Sequence, residues 1–210
     1  MEKSDRLSFI SSLLNGYDKV LEIGTDHGLI LKYAFDNSYI KEAIAADLRE
    51  KPLISAKKNL KNYPCMFKIS NGFQNITETF DCCVIAGMGA HLISEILRKA
   101  PSSNAHYILG TNDKEEELRS FLENNNFRII DEYIIFDKFY YLFIKAIKTS
   151  VKHKLSNEDL LLGPILKTKQ VALEYYEKKK LYLEDLLKKV DSKKALKIKE
   201  KLSYYQKVKF

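Results

Sequence analysis

The chain alternates short apolar runs with helical segments, and this alternation restricts its possible folds more than any other feature. Five apolar runs are predicted to be strands: residues 20–23, 43–47, 66–70, 82–86 and 107–109. Helices are predicted over residues 1–16, 29–37, 50–61 and 91–98, and from residue 113 onward. Strands that are apolar along their whole length are typical of a parallel sheet covered by helices on both faces.

Two further runs, residues 128–136 and 140–147, are too close together for a parallel connection. Only Asp137, Lys138 and Phe139 separate them, so no crossover helix fits and the two runs should form an antiparallel hairpin. Five parallel strands followed by a terminal hairpin are the strand plan of the Rossmann-like methyltransferase fold. At this level the likeness concerns fold alone, and a fold does not fix a function.

The last 60 residues carry the whole basic excess of the chain. The net charge is +7, to which residues 1–150 contribute −1 and residues 151–210 contribute +8. A basic surface attracts polyanions, although an ordinary solvated helix face also carries runs of charge. The chain has 30 Lys against 5 Arg, which favours diffuse attraction to phosphates over bidentate reading of bases.

The apolar residues of this basic segment repeat with helical spacing. They fit the inner positions of a heptad repeat: Leu166, Leu173, Tyr176, Leu183, Leu187 and Val190. Asp191 and Ser192 can end one helix and cap the next. We therefore expect two antiparallel helices in a short coiled-coil hairpin that projects from the sheet, and two domains, residues 1–150 and 151–210.

Several classes of protein are not expected. No apolar run approaches the roughly 18 residues of a membrane-spanning helix. The charged N-terminus does not resemble a secretory signal, and three cysteines with no C-x-x-C pattern predict neither a disulfide framework nor a metal site. These features predict a cytoplasmic protein without a metal or a membrane partner.

The turn after the first strand has the pattern of a nucleoside-binding site. Gly24 and Gly28 follow the strand and would let a ligand approach the backbone, and Asp47 ends the second strand 23 positions after Gly24. An acid about 20 residues beyond the glycines can accept both ribose hydroxyls. Asp26 occupies the middle position of G-x-G-x-x-G, which disfavours a dinucleotide and suits S-adenosylmethionine, which has no phosphate. A plain tight turn and a helix-capping Asp47 are the alternatives.

Two more glycine turns should lie at the same sheet edge. Asn71 and Gly72 follow the third strand, where an adenine edge could be read, although such a turn is also common in proteins without ligands. Ala86, Gly87, Met88 and Gly89 end the fourth strand and would form a floor beside the reactive end of the cofactor.

With these motifs the chain resembles the bacterial tRNA (adenine(22)-N1)-methyltransferases over nearly its whole length. The resemblance rests on residues 23–27 (IGTDH), residues 85–89 (IAGMG), residues 162–164 (LGP), the Arg6-Leu7 pair and Tyr140. The family has a Rossmann-like catalytic domain and a C-terminal coiled coil. This chain departs from the family pattern at Asn71, Ala90 and Gly110-Thr111, where the family usually has Asp, Gly and Gln-Pro.

The resemblance implies methyl transfer from S-adenosylmethionine to N1 of adenine 22 in tRNA. The catalytic residue is predicted to be Asp26, whose carboxylate would accept from the adenine N6 amino group; capping of the following helix is its alternative role. The predicted cofactor contacts are Glu22, Gly24, Thr25, His27, Asp47, Leu48, Asn71, Gly72, Ala86, Gly87, Met88 and Gly89. The predicted tRNA contacts are Arg6, Asn112, Tyr140, Lys178, Lys179 and Lys188.

Two other functions remain open at this point. The first is a methyltransferase that acts on another RNA adenine or on a small nucleophile, with the same cofactor residues. The second is a non-catalytic RNA-binding protein whose methyltransferase domain has decayed at positions 71, 90 and 110–111. Uptake of S-adenosylmethionine separates the second from the others.

Overall fold

The computed structural model describes residues 5–208, so part of the helix predicted over residues 1–16 lies outside it. Seven strands form one sheet in the order β3-β2-β1-β4-β5-β7-β6. The strands are β1 (Lys19–Ile23), β2 (Glu42–Asp47), β3 (Cys65–Ile69), β4 (Cys82–Met88), β5 (His106–Thr111), β6 (Phe127–Asp137) and β7 (Phe139–Lys148). The first five are parallel, and β7 pairs antiparallel with both β5 and β6. The predicted parallel sheet with a terminal hairpin is confirmed.

The helices before and between the strands lie close to their predicted positions. They are α1 (Asp5–Ser12), α2 (Leu29–Asp36), α3 (Glu50–Asn59), α4 (Ala90–Leu97) and α5 (Glu115–Asn124). Each face of the sheet carries its own apolar core. Leu21, Ile23 and Ile85 belong to one core, whereas Val20 and Val84, at alternate positions of the same strands, belong to the other.

The parallel strands all end at one edge of the sheet, and glycine turns start there. The Gly24 and Thr25 N–H groups both donate to the Ala46 carbonyl oxygen, at 2.8 and 3.0 Å, which fixes the turn after β1 to the neighbouring β2. Gly24 has a φ of +84°, a conformation that other L-residues rarely adopt. The turn after β1 is therefore held against the end of β2.

The C-terminal segment differs from the sequence prediction at its start. A short helix, α6 (Asn157–Leu162), and two 3₁₀ turns, Leu166–Thr168 and Gln170–Ala172, precede α7 (Leu173–Leu187) and α8 (Ser192–Tyr205). The prediction that Leu166 begins a heptad helix is therefore wrong, because Leu166 lies in a 3₁₀ turn and is fully buried in the sheet core. Asp191 caps α8 by accepting from the Lys194 N–H, as predicted.

The base of the α7–α8 pair packs into the sheet core. Tyr175, Tyr176 and Tyr205 are buried in the same cluster as Leu109 and Ile144. The expectation of a hairpin that merely projects from the sheet is thus wrong for this part, since tyrosines at the base bury their rings against the sheet side. Farther along the pair, Leu181, Tyr182 and Leu196 are exposed. The domain boundary at residue 150 stays a prediction.

A buried ion pair attaches the C-terminal segment to the sheet. Arg119 on α5 and Glu132 on β6 are 1% and 0% exposed, and Arg119 Nε donates to Glu132 Oε1 at 2.8 Å. The Ile165 and Leu166 N–H groups donate to Glu132 Oε2, both at 2.9 Å. A Cβ on Gly163 would lie 2.5 Å from Glu132 Oε2, so only glycine leaves room for this junction.

Candidate active site

A cavity of about 530 Å³ opens at the carboxyl ends of β1, β2, β4 and β5. Such a crevice outside the strand ends is where open α/β sheets bind ligands. Ten of the predicted site residues line it: Arg6, Glu22, Gly24, Asp26, His27, Asp47, Ala86, Gly87, Met88 and Asn112. They come from segments more than 100 positions apart and meet because the parallel strands end together.

The floor of the cavity depends on two glycines with left-handed backbone. A Cβ on Gly24 would lie 2.0 Å from Met88 Cε, so the Met88 side chain rests directly on the Gly24 backbone. Gly87 has a φ of +78° and lies at a bulge in the pairing of β4 with β5, between Ala86 and Met88. The Asn112 N–H donates to the Met88 carbonyl oxygen at 2.9 Å and holds the end of β4 in place.

Two carboxylates lie inside this cavity in different environments. Asp47 is 8% exposed, and its Oδ1 accepts from the Arg49 N–H at 2.8 Å, so its other oxygen remains available for a ligand. Glu22 is 5% exposed, and its Oε2 accepts from Thr25 Oγ1 at 2.7 Å. Burial raises the pKa of Glu22 to about 7; the Thr25 bond opposes this shift, and the Asp26 and Asp47 charges add to it. Glu22 is therefore an acid that titrates near neutral pH.

Asp26 and His27 form the exposed rim of the cavity. The Asp26 side chain is 80% exposed and the His27 side chain 53%, and Asp26 Oδ2 lies 3.6 Å from His27 Nε2. The N-cap of α2 is Gly28, with no side-chain capping bond, so the structure does not bear out the alternative in which Asp26 caps this helix. The Asp26 carboxylate is thus positioned to meet a group that enters from solvent.

Two of the family departures have local physical explanations. Ala90 is the first residue of α4 with ordinary helical backbone, where alanine is more favourable than glycine. Gly110 pairs directly with Phe143, and a Cβ on Gly110 would lie 2.7 Å from the Phe143 ring. The Phe143 ring therefore occupies the space in which a side chain at position 110 would begin.

Other predicted site residues lie outside the cavity lining. Thr25 is buried beneath it, whereas Leu48 is 63% exposed beside its rim. Gly89 packs against Asp113, Asn71 is exposed, and Gly72 is buried against Ile96. Tyr140 stacks edge-on against Tyr175, and Lys178, Lys179 and Lys188 lie at α7. Their predicted contacts with cofactor or tRNA stay predictions.

Sequence reasoning missed several lining residues. Arg49, Thr111, Tyr141 and Phe143 all face the cavity. The position of Tyr141 could have been predicted from the sequence. Tyr141 follows Tyr140 on a predicted strand, so its side chain must lie on the opposite face of the sheet from that of Tyr140. Arg49 and Phe143 carry no comparable pattern, because their position at the cavity follows from which strands become neighbours.

Within residues 5–208, no helix is long and apolar enough to cross a membrane. The same part of the chain contains no group of three or more His, Cys, Asp or Glu side chains that could hold a metal ion.

Known proteins share both the sequence pattern and the fold. A Mycoplasma genitalium protein, provisionally described as a tRNA methyltransferase, is 28% identical over 182 residues, covering 82% of this chain and 84% of its own. The Bacillus subtilis tRNA (adenine(22)-N(1))-methyltransferase is 28% identical over 143 residues, covering 64% and 60%. The structure of M. capricolum TrmK with S-adenosyl-homocysteine superposes with a TM-score of 0.84 at 26% identity, covering 99% and 97%.

The family assignment follows from a match over most of the chain. The family model described as tRNA (adenine(22)-N(1))-methyltransferase matches residues 20–208, which include most of the cavity lining, the Arg119–Glu132 junction and the α7–α8 pair. This chain therefore belongs to the tRNA (adenine(22)-N(1))-methyltransferase family.

Proposed function

We propose that this chain transfers a methyl group from S-adenosylmethionine to N1 of adenine 22 in tRNA. The observation that carries the proposal is the cavity at the strand ends, in which a glycine floor, the Asp47 carboxylate and the exposed Asp26 carboxylate face the same space. Membership of the family supplies the reaction and the class of substrate. S-adenosyl-homocysteine, named with the M. capricolum relative, is the demethylated form of this cofactor.

The cavity residues fit the cofactor. A Cβ on Gly87 would meet no atom within 4 Å, so a ligand can lie against the backbone there, whereas the Met88 side chain covers the Gly24 backbone. Asp47 keeps one oxygen for ribose hydroxyls, because the Arg49 N–H occupies the other. Glu22 places an acid that titrates near neutral pH at the base of the site, where it favours a cationic ligand. When bound, S-adenosylmethionine supplies a methyl group carried on a positively charged sulfur.

Asp26 is proposed to act on the adenine. The N1 lone pair is already a nucleophile, so no proton has to leave before attack, and positioning is the main task of the protein. As the N1–CH₃ bond forms and the sulfur–CH₃ bond breaks, the positive charge moves onto the adenine ring. The Asp26 carboxylate accepts a hydrogen bond from N6 and stabilises this charge.

The target base must be unpaired before it reaches Asp26. N1 lies on the Watson–Crick edge, and freeing a base costs a few kcal/mol. The α7–α8 pair offers phosphate contacts that offset this cost. Lys188, Lys193 and Lys197 are exposed, and among the described residues none has a carboxylate within 4.0 Å.

Labelled methyl transfer to bulk tRNA, followed by mapping of the modified base, tests the proposal. We expect one methylated adenine at N1 of position 22. Asp26→Asn should bind S-adenosylmethionine as tightly as the wild type, measured by calorimetry, but lose roughly 10²-fold or more in turnover. Full turnover with normal cofactor binding would exclude this role for Asp26, and no uptake of S-adenosylmethionine by the wild type would exclude the enzymatic function.

A further inference from the structure

The tip of the β6–β7 hairpin extends past the edge of the sheet at which the cavity opens. Leu142 pairs with Thr111, the last residue of β5, so β7 begins three residues beyond the end of this antiparallel neighbour. At about 3.3 Å per residue, Phe139 lies roughly 10 Å outside the strand end. The hairpin tip therefore lies beyond the strand ends, on the side of the sheet edge at which the cavity opens.

Phe139 is the most unusual residue of this tip. It is 71% exposed, more than Phe136 at 55%. Phe136 has partners, since its ring lies 5.0 Å from both the Tyr140 centroid and Lys178 Nζ. Phe139 has neither an aromatic nor a cationic partner among residues 5–208. A ligand that covered this ring would remove its apolar surface from water, which favours binding.

The face of β7 that carries Phe139 leads into the cavity. Side chains alternate along a strand, so Phe139, Tyr141 and Phe143 share one face, and the last two line the cavity. The Arg6 guanidinium lies 4.8 Å from the Tyr141 ring centroid, and the Arg6 N–H donates to Asp137, the residue paired with Phe139. This face of β7 thus carries the exposed Phe139 ring beyond the sheet edge and Tyr141 in the cavity lining, with the Arg6 guanidinium beside Tyr141.

The geometry points to Phe139 as a stacking surface for an unpaired nucleotide next to the target adenine. Withdrawing a base from its stack leaves its neighbours without a stacking partner, and aromatic side chains replace such partners in RNA complexes. Arg6 lies where it can meet the adjoining phosphate. The inference rests on the proposed function and adds a residue that neither reacts with nor contacts the cofactor.

Variants of Phe139 in the full chain test the inference by tRNA affinity and by kcat/KM for tRNA. Phe139→Ala should weaken both about 5- to 100-fold, the range for removal of one base–aromatic stack, with unchanged affinity for S-adenosylmethionine. Phe139→Tyr and Phe139→Trp should retain wild-type values, whereas Phe139→Leu should behave like Phe139→Ala, because it keeps apolar bulk without a ring. Val151→Ala is the matched control, since Val151 is 59% exposed beyond the opposite end of β7.

A double-mutant cycle identifies the stacked nucleotide. An abasic site on one side of the target adenine should abolish the difference between the wild type and Phe139→Ala, because the stacked base is then missing in both. If the wild type methylates tRNA and Phe139→Ala methylates it equally well, the stacking surface is refuted while the proposed function stands. A change of oligomeric state in Phe139→Ala would assign the ring to self-association instead. A wild type that methylates no tRNA would refute the proposed function itself.

Discussion

Glu132→Gln should be among the most destabilising isosteric changes in this protein. The Glu132 carboxylate is fully buried and accepts three hydrogen bonds, one from Arg119 and two from the Ile165 and Leu166 N–H groups. An amide has only one oxygen, so its NH₂ group must face either Arg119 or the two backbone donors. In both orientations a buried donor is left without its acceptor and the Arg119 charge without its counter-ion.

The expected decrease in the free energy of unfolding is about 3–5 kcal/mol, the cost of breaking a buried ion pair from one side. Arg119 has no other acceptor at hand, since its Nη1 already donates to the Leu160 and Leu161 carbonyl oxygens and its buried Nη2 has no hydrogen-bond partner among the described residues. Urea unfolding followed by circular dichroism measures the decrease. Hydrogen exchange at the Ile165 and Leu166 amides should accelerate with it, because a junction without its ion pair opens more often.

Asp131→Asn is the matched control for this variant. Asp131 is the preceding residue and pairs with Lys169, but both side chains of this pair are about 30% exposed (32% and 29%). A partly exposed pair should contribute about 1 kcal/mol or less. A decrease below about 1 kcal/mol in Glu132→Gln, or an equal decrease in both variants, would refute the conclusion that Glu132 anchors the C-terminal segment.

Two further predictions concern pH and salt. The pKa of Glu22 is about 7 in the folded chain, above its ordinary value of 4.5, so the folded state binds more protons than the unfolded state between these two pH values. The free energy of unfolding should therefore fall as pH rises through this window, by up to about 3 kcal/mol. Glu22→Gln should remove this slope in urea titrations of the cofactor-free protein from about pH 5 to pH 8, and an unchanged slope would contradict the assignment. Replacement of Lys188, Lys193 and Lys197 together by Gln should weaken tRNA binding and lower the salt slope of log affinity by about one unit for each phosphate that these lysines neutralise, at unchanged cofactor affinity. An unaltered slope in filter binding at several salt concentrations would show that these lysines do not contact tRNA.

The sequence predicted the parallel sheet and the edge at which its site lies. Apolar runs bounded by glycine turns depend on local chain properties, and the positive φ of Gly24 and Gly87 follows from steric rules that act within a residue or two. The hairpin was predictable because the loop at 137–139 is too short for any other connection. For the same reason ten of the predicted site residues were found in one cavity: parallel strands end at a common edge, whatever their distance in sequence.

The C-terminal segment was predicted less well. Heptad spacing placed Leu166 in a long helix, whereas burial against the sheet made it part of a 3₁₀ turn. The spacing of apolar residues predicts which of them share a face, but it does not predict the element against which that face packs. The Tyr176 ring does both: it contacts the Tyr205 ring of α8 at a centroid distance of 5.9 Å, and it belongs to the apolar core of the sheet.

By itself, the sequence determined the order of strands and helices, the glycine turns and the separation of basic charge into the last 60 residues, since each depends on neighbouring residues along the chain. Only the tertiary structure decided that Arg119 meets Glu132 beneath Gly163, that Arg6 covers Tyr141 and that the hairpin tip with Phe139 extends beyond the end of β5. These contacts join segments distant in sequence, and their partners are chosen by shape, burial and charge once the sheet has formed.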